Sequence, residues 1–200
     1  METSLIAQHR DVGPLLAGSA QRAKLLEAMV QAVAEKGYEA ATVADAVRLA
    51  RVSRGTFYAL FESKEACLAA AYRLGTEVLE DRVRDAVAEA SDWREELRLG
   101  IRAYLRTLAD EPRFARVFLL DLEGLGEERE AAFARFARRY GASLARSGRP
   151  KPPDAALLVL SAGVHHSVRA AVRAGEDPLA LETTLVGCAV RLVTKEETWT

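Results

Sequence analysis

The chain has 200 residues, half of them apolar and 28% charged, enough for one large domain or two small ones with a buried core. Six prolines and thirteen glycines are too few for a disordered or fibrous chain. A net charge of −1 taken whole argues neither for nor against a nucleic-acid partner, so the distribution of charge carries the information.

Alanine, leucine, arginine and glutamate dominate and β-branched residues are scattered singly, which favours helices throughout. Residues 1–18 read as an irregular arm broken at Gly13-Pro14 and Gly18. They lack a basic start followed by a continuous apolar run and so make a poor signal peptide. Ser19 is the expected cap of a first helix ending at Lys36, with Leu25, Met29 and Val33 every four residues, Leu26 and Val30 beside them, and Gly37 as the stop. Thr42 caps a second helix, with Asp45 three residues on completing a capping box, and this helix reaches about Ala50. Ser53 caps a third helix and Ser63 a fourth, which continues to about Ala90. Only Arg51-Val52 separates helices two and three, and so short a turn forces a steep crossing, the geometry of a helix-turn-helix.

The pattern stays helical beyond Ala66. Ser91 or Asp92 caps a fifth helix with Trp93, Leu97, Ile101, Tyr104 and Leu108 on its apolar side. Pro112 opens a sixth carrying Phe114, Val117 and Phe118, broken at Gly124 and Gly126. A seventh carries Phe133, Phe136 and Tyr140 and ends in SGRPKPP. Residues 155–175 form an eighth, apolar nearly all round, so it requires burial on every face, which suggests packing against another copy of the chain. Its most apolar part, 155–168, is too short to span a bilayer and contains two histidines. Pro178 opens a ninth, with Leu181, Leu185, Cys188 and Leu192 on one side. Cys67 and Cys188 stand alone in helical patterns and read as buried thiols in a reducing compartment. A cytoplasmic protein with no membrane segment follows.

The third helix carries the chemistry. Phe57, Leu60 and Phe61 gather on one side to face the core, while Gly55 and Ala59 fall opposite with Thr56 and Tyr58 beside them. An exposed face that is small in its middle suits close approach to a major groove, where Ala59 can touch a thymine methyl. Arg54, in the first turn, reaches base edges or a phosphate, Tyr58 can give its hydroxyl to a phosphate, and the helix N-terminus offers free N–H groups to an anion. Lys64, in the first turn of helix four, is misplaced for the helix dipole unless a phosphate sits in front of it. From 42 to 64 the bases Arg48, Arg51, Arg54 and Lys64 outnumber Asp45 and Glu62, a small positive footprint in a neutral chain. The bland alternative is an αα corner with Arg54 and Tyr58 as ordinary surface residues.

The stretch GYEAATVADAVRLARVSRGTFYALFESKEACLAA resembles the DNA-binding domain of TetR-family transcriptional regulators. The resemblance rests on Gly37-Tyr38, Thr42, Val52-Ser53, Gly55-Thr56, Phe57-Tyr58, Phe61 and Ser63-Lys64-Glu65, in fixed spacing without gaps over about residues 19–70. It implies that Thr42, Tyr58 and Lys64 hold phosphates and that Ser53, Arg54, Gly55 and Thr56 lie at the DNA. Three positions depart from it. Arg51 stands where glycine is usual, so the turn is expected to differ, Leu60 replaces an often polar residue, and Ala59 is small.

The resemblance further implies an all-α fold, with residues 19–70 as the three-helix DNA-binding domain and 71–200 as a helical ligand-binding and dimerisation domain. Two subunits would pair through the last two helices, where Ala162 and Gly163 permit close approach. A small apolar effector entering between helices four and eight would release a dimeric repressor from a near-palindromic operator. Candidate lining residues are Trp93, Tyr104, Phe114, Phe118, Phe133, Phe136, His165 and His166. Adjacent histidines point about 100° apart and do not chelate one metal as an i, i+4 pair would, so no metal or cofactor is expected. Arg135, Arg138, Arg139 and Arg146 read as a solvated helix face. Two other functions bear weighing. A ligand-blind or nucleoid-associated DNA-binding protein could use the same fold. An enzyme built on His165, His166, Asp121 or Glu123 lacks a phosphate loop, a nucleophile motif or carboxylate–histidine pairs at metal spacing.

Overall fold

The computed structural model describes residues 17–119, 125–146 and 152–194, and within them every regular element is helical. The order is α1 (Ala17–Lys36), α2 (Val43–Ala50), α3 (Arg54–Leu60), α4 (Lys64–Ala86), α5 (Trp93–Asp110), α6 (Pro112–Phe118), α7 (Gly126–Arg146), α8 (Asp154–Ala174), a 3₁₀ turn (Pro178–Leu181) and α9 (Glu182–Thr194). Contacts gather the chain into two units, one of residues up to 78 with 111–128, the other of 79–110 with 129 onward. The long helices α4 and α7 are each divided between the two.

In the first unit α1 packs on α2 and α6, and α2 on α3. Leu25, Leu26, Met29 and Val33 of α1 are buried, as are Phe57, Cys67, Leu68 and Phe118 of the same unit. The Phe118 ring stacks between Tyr72 and Phe114, with centroids 5.2 Å from each. That stack needs a glycine at 75, because a Cβ there would lie 2.0 Å from Phe114 Cε2. Gly37 ends α1 at φ +81, its N–H bonded to the Val33 carbonyl at 2.9 Å, as expected of a glycine stop. Helix α1 is already under way at Ala17, so Ser19 lies inside it rather than capping it.

In the second unit α5 packs on α9 and the 3₁₀ turn, and α8 on both of these. Asp92 caps α5, accepting from the N–H groups of Arg94 and Glu95, and Trp93, Leu97, Ile101, Tyr104 and Leu108 are all buried as the spacing predicts. Helix α4 stops at Ala86, four residues short of expectation, in a run of turns. The final helix begins with the 3₁₀ turn, and its buried stripe is Leu185, Ala189 and Val193. Cys188 is therefore exposed and only Cys67 is a buried thiol, which corrects the expectation for the pair. Helix α8 runs 21 residues and is long and apolar enough to cross a bilayer by length and composition, against the shorter span expected. Its buried positions, Leu157, Leu160, His165, Val168 and Ala171, pack within the unit as those of a core helix do. Residues 1–16, Asp121, Glu123, Gly124 and most of the SGRPKPP segment lie outside the described residues.

Candidate nucleic-acid interface

The candidate interface centres on two capped helices, α2 and α3, that pack on each other. Thr42 adopts an extended backbone and its hydroxyl accepts from the Asp45 N–H at 3.2 Å, while Asp45 takes the Thr42 N–H in return, closing the capping box. Lys36, at the end of α1, reaches Asp45 at 2.5 Å, so the box is also tied to the preceding helix. The Lys36 ammonium and the Thr42 hydroxyl hold the Asp45 carboxyl down to about 2, from the usual 3.8. One detail restricts Thr42: its hydroxyl proton already points to Asp45 at 2.8 Å, leaving only lone pairs for any further partner.

Helix α2 ends at Arg51, which sits in the left-handed region at φ 54, ψ 47. The N–H groups of Arg51 and Val52 return to the carbonyls of Arg48 and Val47, a Schellman closure. The turn thus keeps the shape that glycine would give it, although an altered turn was expected. Ser53 then caps α3, its Oγ 2.9 Å from both the N–H and the hydroxyl of Thr56. Ser53 and Thr56 spend their side chains on each other, which fixes the first turn of α3.

Phe57 is completely buried and anchors α3, with Phe61 at its end also buried. The opposite side presents Arg54, Gly55, Tyr58 and Ala59 to solvent. Tyr58 is 52% exposed, and its ring stands edge-on to Phe57 at 5.4 Å, so the packed core orients an exposed phenol. The Arg54 side chain makes no hydrogen bond or ion pair among the described residues. Leu60 is half-buried, completing the inward face.

Ser63 caps α4 through the Ala66 N–H. Lys64, in the first turn, donates to the Tyr38 carbonyl at 2.9 Å and lies 4.2 Å from the centre of the Tyr38 ring. Its misfit with the helix dipole is thus relieved within the chain, and two of its three N–H groups remain for an outside acceptor. Glu65 accepts from the Tyr38 hydroxyl at 3.1 Å, and its carboxyl is held below the usual range, first by its own backbone N–H at the helix start. Tyr38, Glu65 and Lys36 brace the site without having been picked out as site residues. Tyr38 stands in the quoted motif, but a partner 26 residues away on another element leaves no local spacing to read.

Residues 25–71 match the family model for bacterial regulatory proteins of the tetR family. Over that stretch the chain is similar to the tetR family. The fatty acid metabolism regulator protein of Bacillus subtilis is 28% identical over 99 residues, 50% of this chain and 51% of that one, so the match spans about half the length of this curated relative. Among solved structures, the fatty acid degradation regulator FadR of Bacillus halodurans has a TM-score of 0.73 at 22% identity, covering 88% of this chain and 96% of its own. The transcriptional regulator FadR of Bacillus subtilis, solved in complex with stearoyl-CoA, has a TM-score of 0.73 at 21% identity, covering 86% and 97%. These structures share the fold.

The remaining candidate residues fall into separate places. Phe114 and Phe118 belong to the first unit, stacked with Tyr72. In the second, Phe136 meets the Tyr104 ring edge-on at 6.3 Å and Phe133 meets His165 at 5.1 Å. The Tyr104 hydroxyl lies 3.4 Å from His165 Nδ1, and burial pushes His165 down to about 4, so it is neutral near pH 7. Trp93 instead lines a narrow cleft with Leu97, Tyr140, Ser143, Leu144, Leu160 and Val193, with room for about one water molecule. His166 is exposed. Arg135 pairs with Glu80 at 2.6 Å and Arg146 with Glu96 at 3.0 Å, so these two are neutralised on their helix face.

Proposed function

We propose that the protein is a DNA-binding transcriptional regulator, acting as a dimeric repressor released from a near-palindromic operator by an apolar effector. The observation that carries this is the outer side of α3: small at Gly55 and Ala59, cationic at Arg54, with Tyr58 half in solvent above a fully buried Phe57. A helix with that cross-section enters a major groove, with Arg54 and Gly55 at base edges. Lys64 and the Tyr58 hydroxyl, flanking it on α4 and α3, take phosphates on either side. Because the Thr42 hydroxyl is committed to Asp45, the start of α2 grips its phosphate through the open backbone N–H groups of its first turn.

Pairing of two chains supplies the second half-site, about 34–36 Å away on the duplex. The exposed apolar side chains Leu158 and Val159 on α8, at 45% and 63% exposure, support pairing through α8 and α9. The effector reading draws on the Tyr104, Phe133, Phe136 and His165 cluster, in which aromatic rings surround a neutral hydrogen-bonding pair. It also draws on the stearoyl-CoA held by the Bacillus subtilis relative, which favours a ligand with a long apolar chain. An effector lowers DNA affinity only as far as it prefers the released state. A cytoplasmic location accompanies this role.

A second reading, a ligand-blind DNA-binding protein on the same fold, is favoured by the tightness of the Trp93 cleft. Selection of genomic fragments bound by the purified chain tests the proposal. A recovered inverted repeat supports it, and random recovery contradicts it. Thermal shift against acyl-chain ligands then separates the two readings: a ligand that raises Tm and weakens operator binding selects the effector-controlled one.

A further inference from the structure

Arg51 is the one residue other than glycine with a positive φ among the described residues. The other two such positions, Gly37 and Gly175, also close helices, and both are glycine. A left-handed conformation forces the Cβ of an L-residue toward the following carbonyl, a cost that glycine does not carry. The Schellman hydrogen bonds at this turn use backbone atoms only, so glycine would make them equally well. Nothing that the side chain does inside the protein offsets the strain. Arg51 is exposed, and its guanidinium makes no hydrogen bond or ion pair among the described residues. A strained residue kept without an internal return points to an external partner.

Its position identifies that partner's chemistry. Arg51 stands two residues before the Ser53 cap and three before Arg54, beside the start of α3. Of the neighbouring cations, Arg48 lies 3.7 Å from Asp45, whereas Arg51 and Arg54 have no carboxylate of their own. Two guanidinium groups without an ion pair among the described residues thus stand three positions apart, at the turn and at the exposed side of α3. The geometry points to Arg51 as an additional phosphate-binding residue, gripping the DNA backbone beside the groove that α3 occupies. This rests on the DNA-binding role proposed above. Lying outside α3, on the turn, Arg51 meets backbone rather than bases, so it adds affinity uniformly and leaves sequence preference alone. The strained turn holds the Arg51 backbone in one conformation, so only the side chain is ordered on binding.

The test uses the full-length wild type, Arg51→Gly and Arg51→Asn on one selected operator duplex and on a scrambled duplex. Glycine and asparagine both tolerate the left-handed region and both remove the charge. Each variant is expected to lose about fivefold in affinity at about 0.15 M salt, equally on both duplexes, with the slope of log K against log salt shallower by about 0.9. The glycine variant is also expected to melt about 2–4 °C higher, since strain leaves with the side chain. Opposite signs for stability and binding are a result that a merely structural role for Arg51 does not give. If the wild type binds the operator and both variants match its affinity and salt slope, the Arg51 assignment is overturned while the DNA-binding role stands. A loss confined to the glycine variant also overturns the assignment, because chain freedom rather than charge then explains it. If the wild type prefers no duplex at all, the underlying role fails first and this assignment falls with it.

Discussion

Replacing Gly75 by alanine is the sharpest test of how the first unit is packed. The added methyl would meet Phe114 Cε2 at 2.0 Å and Cζ at 2.5 Å, well inside contact distance. A ring end can often swing aside, but Phe114 is buried and stacked on Phe118, which is stacked in turn on Tyr72. Moving it displaces three aromatic residues. Overpacking of this kind costs about 1–3 kcal/mol, and the better helix propensity of alanine returns about 1 kcal/mol. The net loss is therefore up to about 2 kcal/mol, at roughly 4–8 °C in Tm per kcal/mol for a unit of this size. A double-mutant cycle with Phe114→Leu isolates the cause. The smaller side chain makes room for the methyl, so the double variant should be more stable than the sum of the singles by about 1 kcal/mol. Chemical denaturation of the four proteins reads this directly. Singles whose effects simply add would refute the close approach of α6 to α4.

Other outcomes follow from the caps, the exposed helix faces and α3. Asp45 has its carboxyl lowered in the fold from 3.8 to about 2, so its contribution is present above about pH 4 and disappears as the pH falls toward 2. Asp45→Asn should flatten the acid limb of Tm against pH in that window; an unchanged limb would remove the Lys36–Asp45–Thr42 latch. Arg54→Ala should redistribute affinity among operator variants at one or two positions by about 1–3 kcal/mol, measured by competition binding. A uniform loss would move Arg54 from bases to backbone. Val159→Glu puts charges on the 63% exposed position of α8 and should shift sedimentation from dimer to monomer, with no change in helix content by circular dichroism. A dimer that persists would place the pairing surface elsewhere.

The parts legible in the sequence are those governed by a few adjacent residues. Thr42 with Asp45, Ser53, Ser63 and Gly37 each act through atoms within four positions, and each does what local chemistry predicts. Phe57 is buried as the helix wheel requires, and Phe61, just past the end of α3, is buried as well. What escaped notice depends on distant partners or on a choice between equivalent faces. Helix α9 carries apolar residues on more than one side, so periodicity alone could not decide between Leu181, Leu185, Cys188 and Leu192 and the stripe actually buried, Leu185, Ala189 and Val193. The hold of Tyr38 on Lys64 spans 26 residues, and that of Lys36 on Asp45 joins two helices, so neither has a sequence signature. At Arg51 the expectation of an altered turn gave too much weight to strain. The Schellman hydrogen bonds and the packing of α2 against α3 outweigh a cost of about 1–2 kcal/mol.

The most direct measurement of the central claim is operator affinity against salt concentration for the wild type, Tyr58→Phe and Lys64→Gln. The phenol is a neutral donor, so Tyr58→Phe should weaken binding on every duplex while keeping the wild-type slope. Lys64→Gln should weaken binding and also reduce the slope by about 0.9, because one fewer counterion is released. Both variants binding as the wild type does, at every salt concentration, would contradict the placement of α3 and the start of α4 against the duplex.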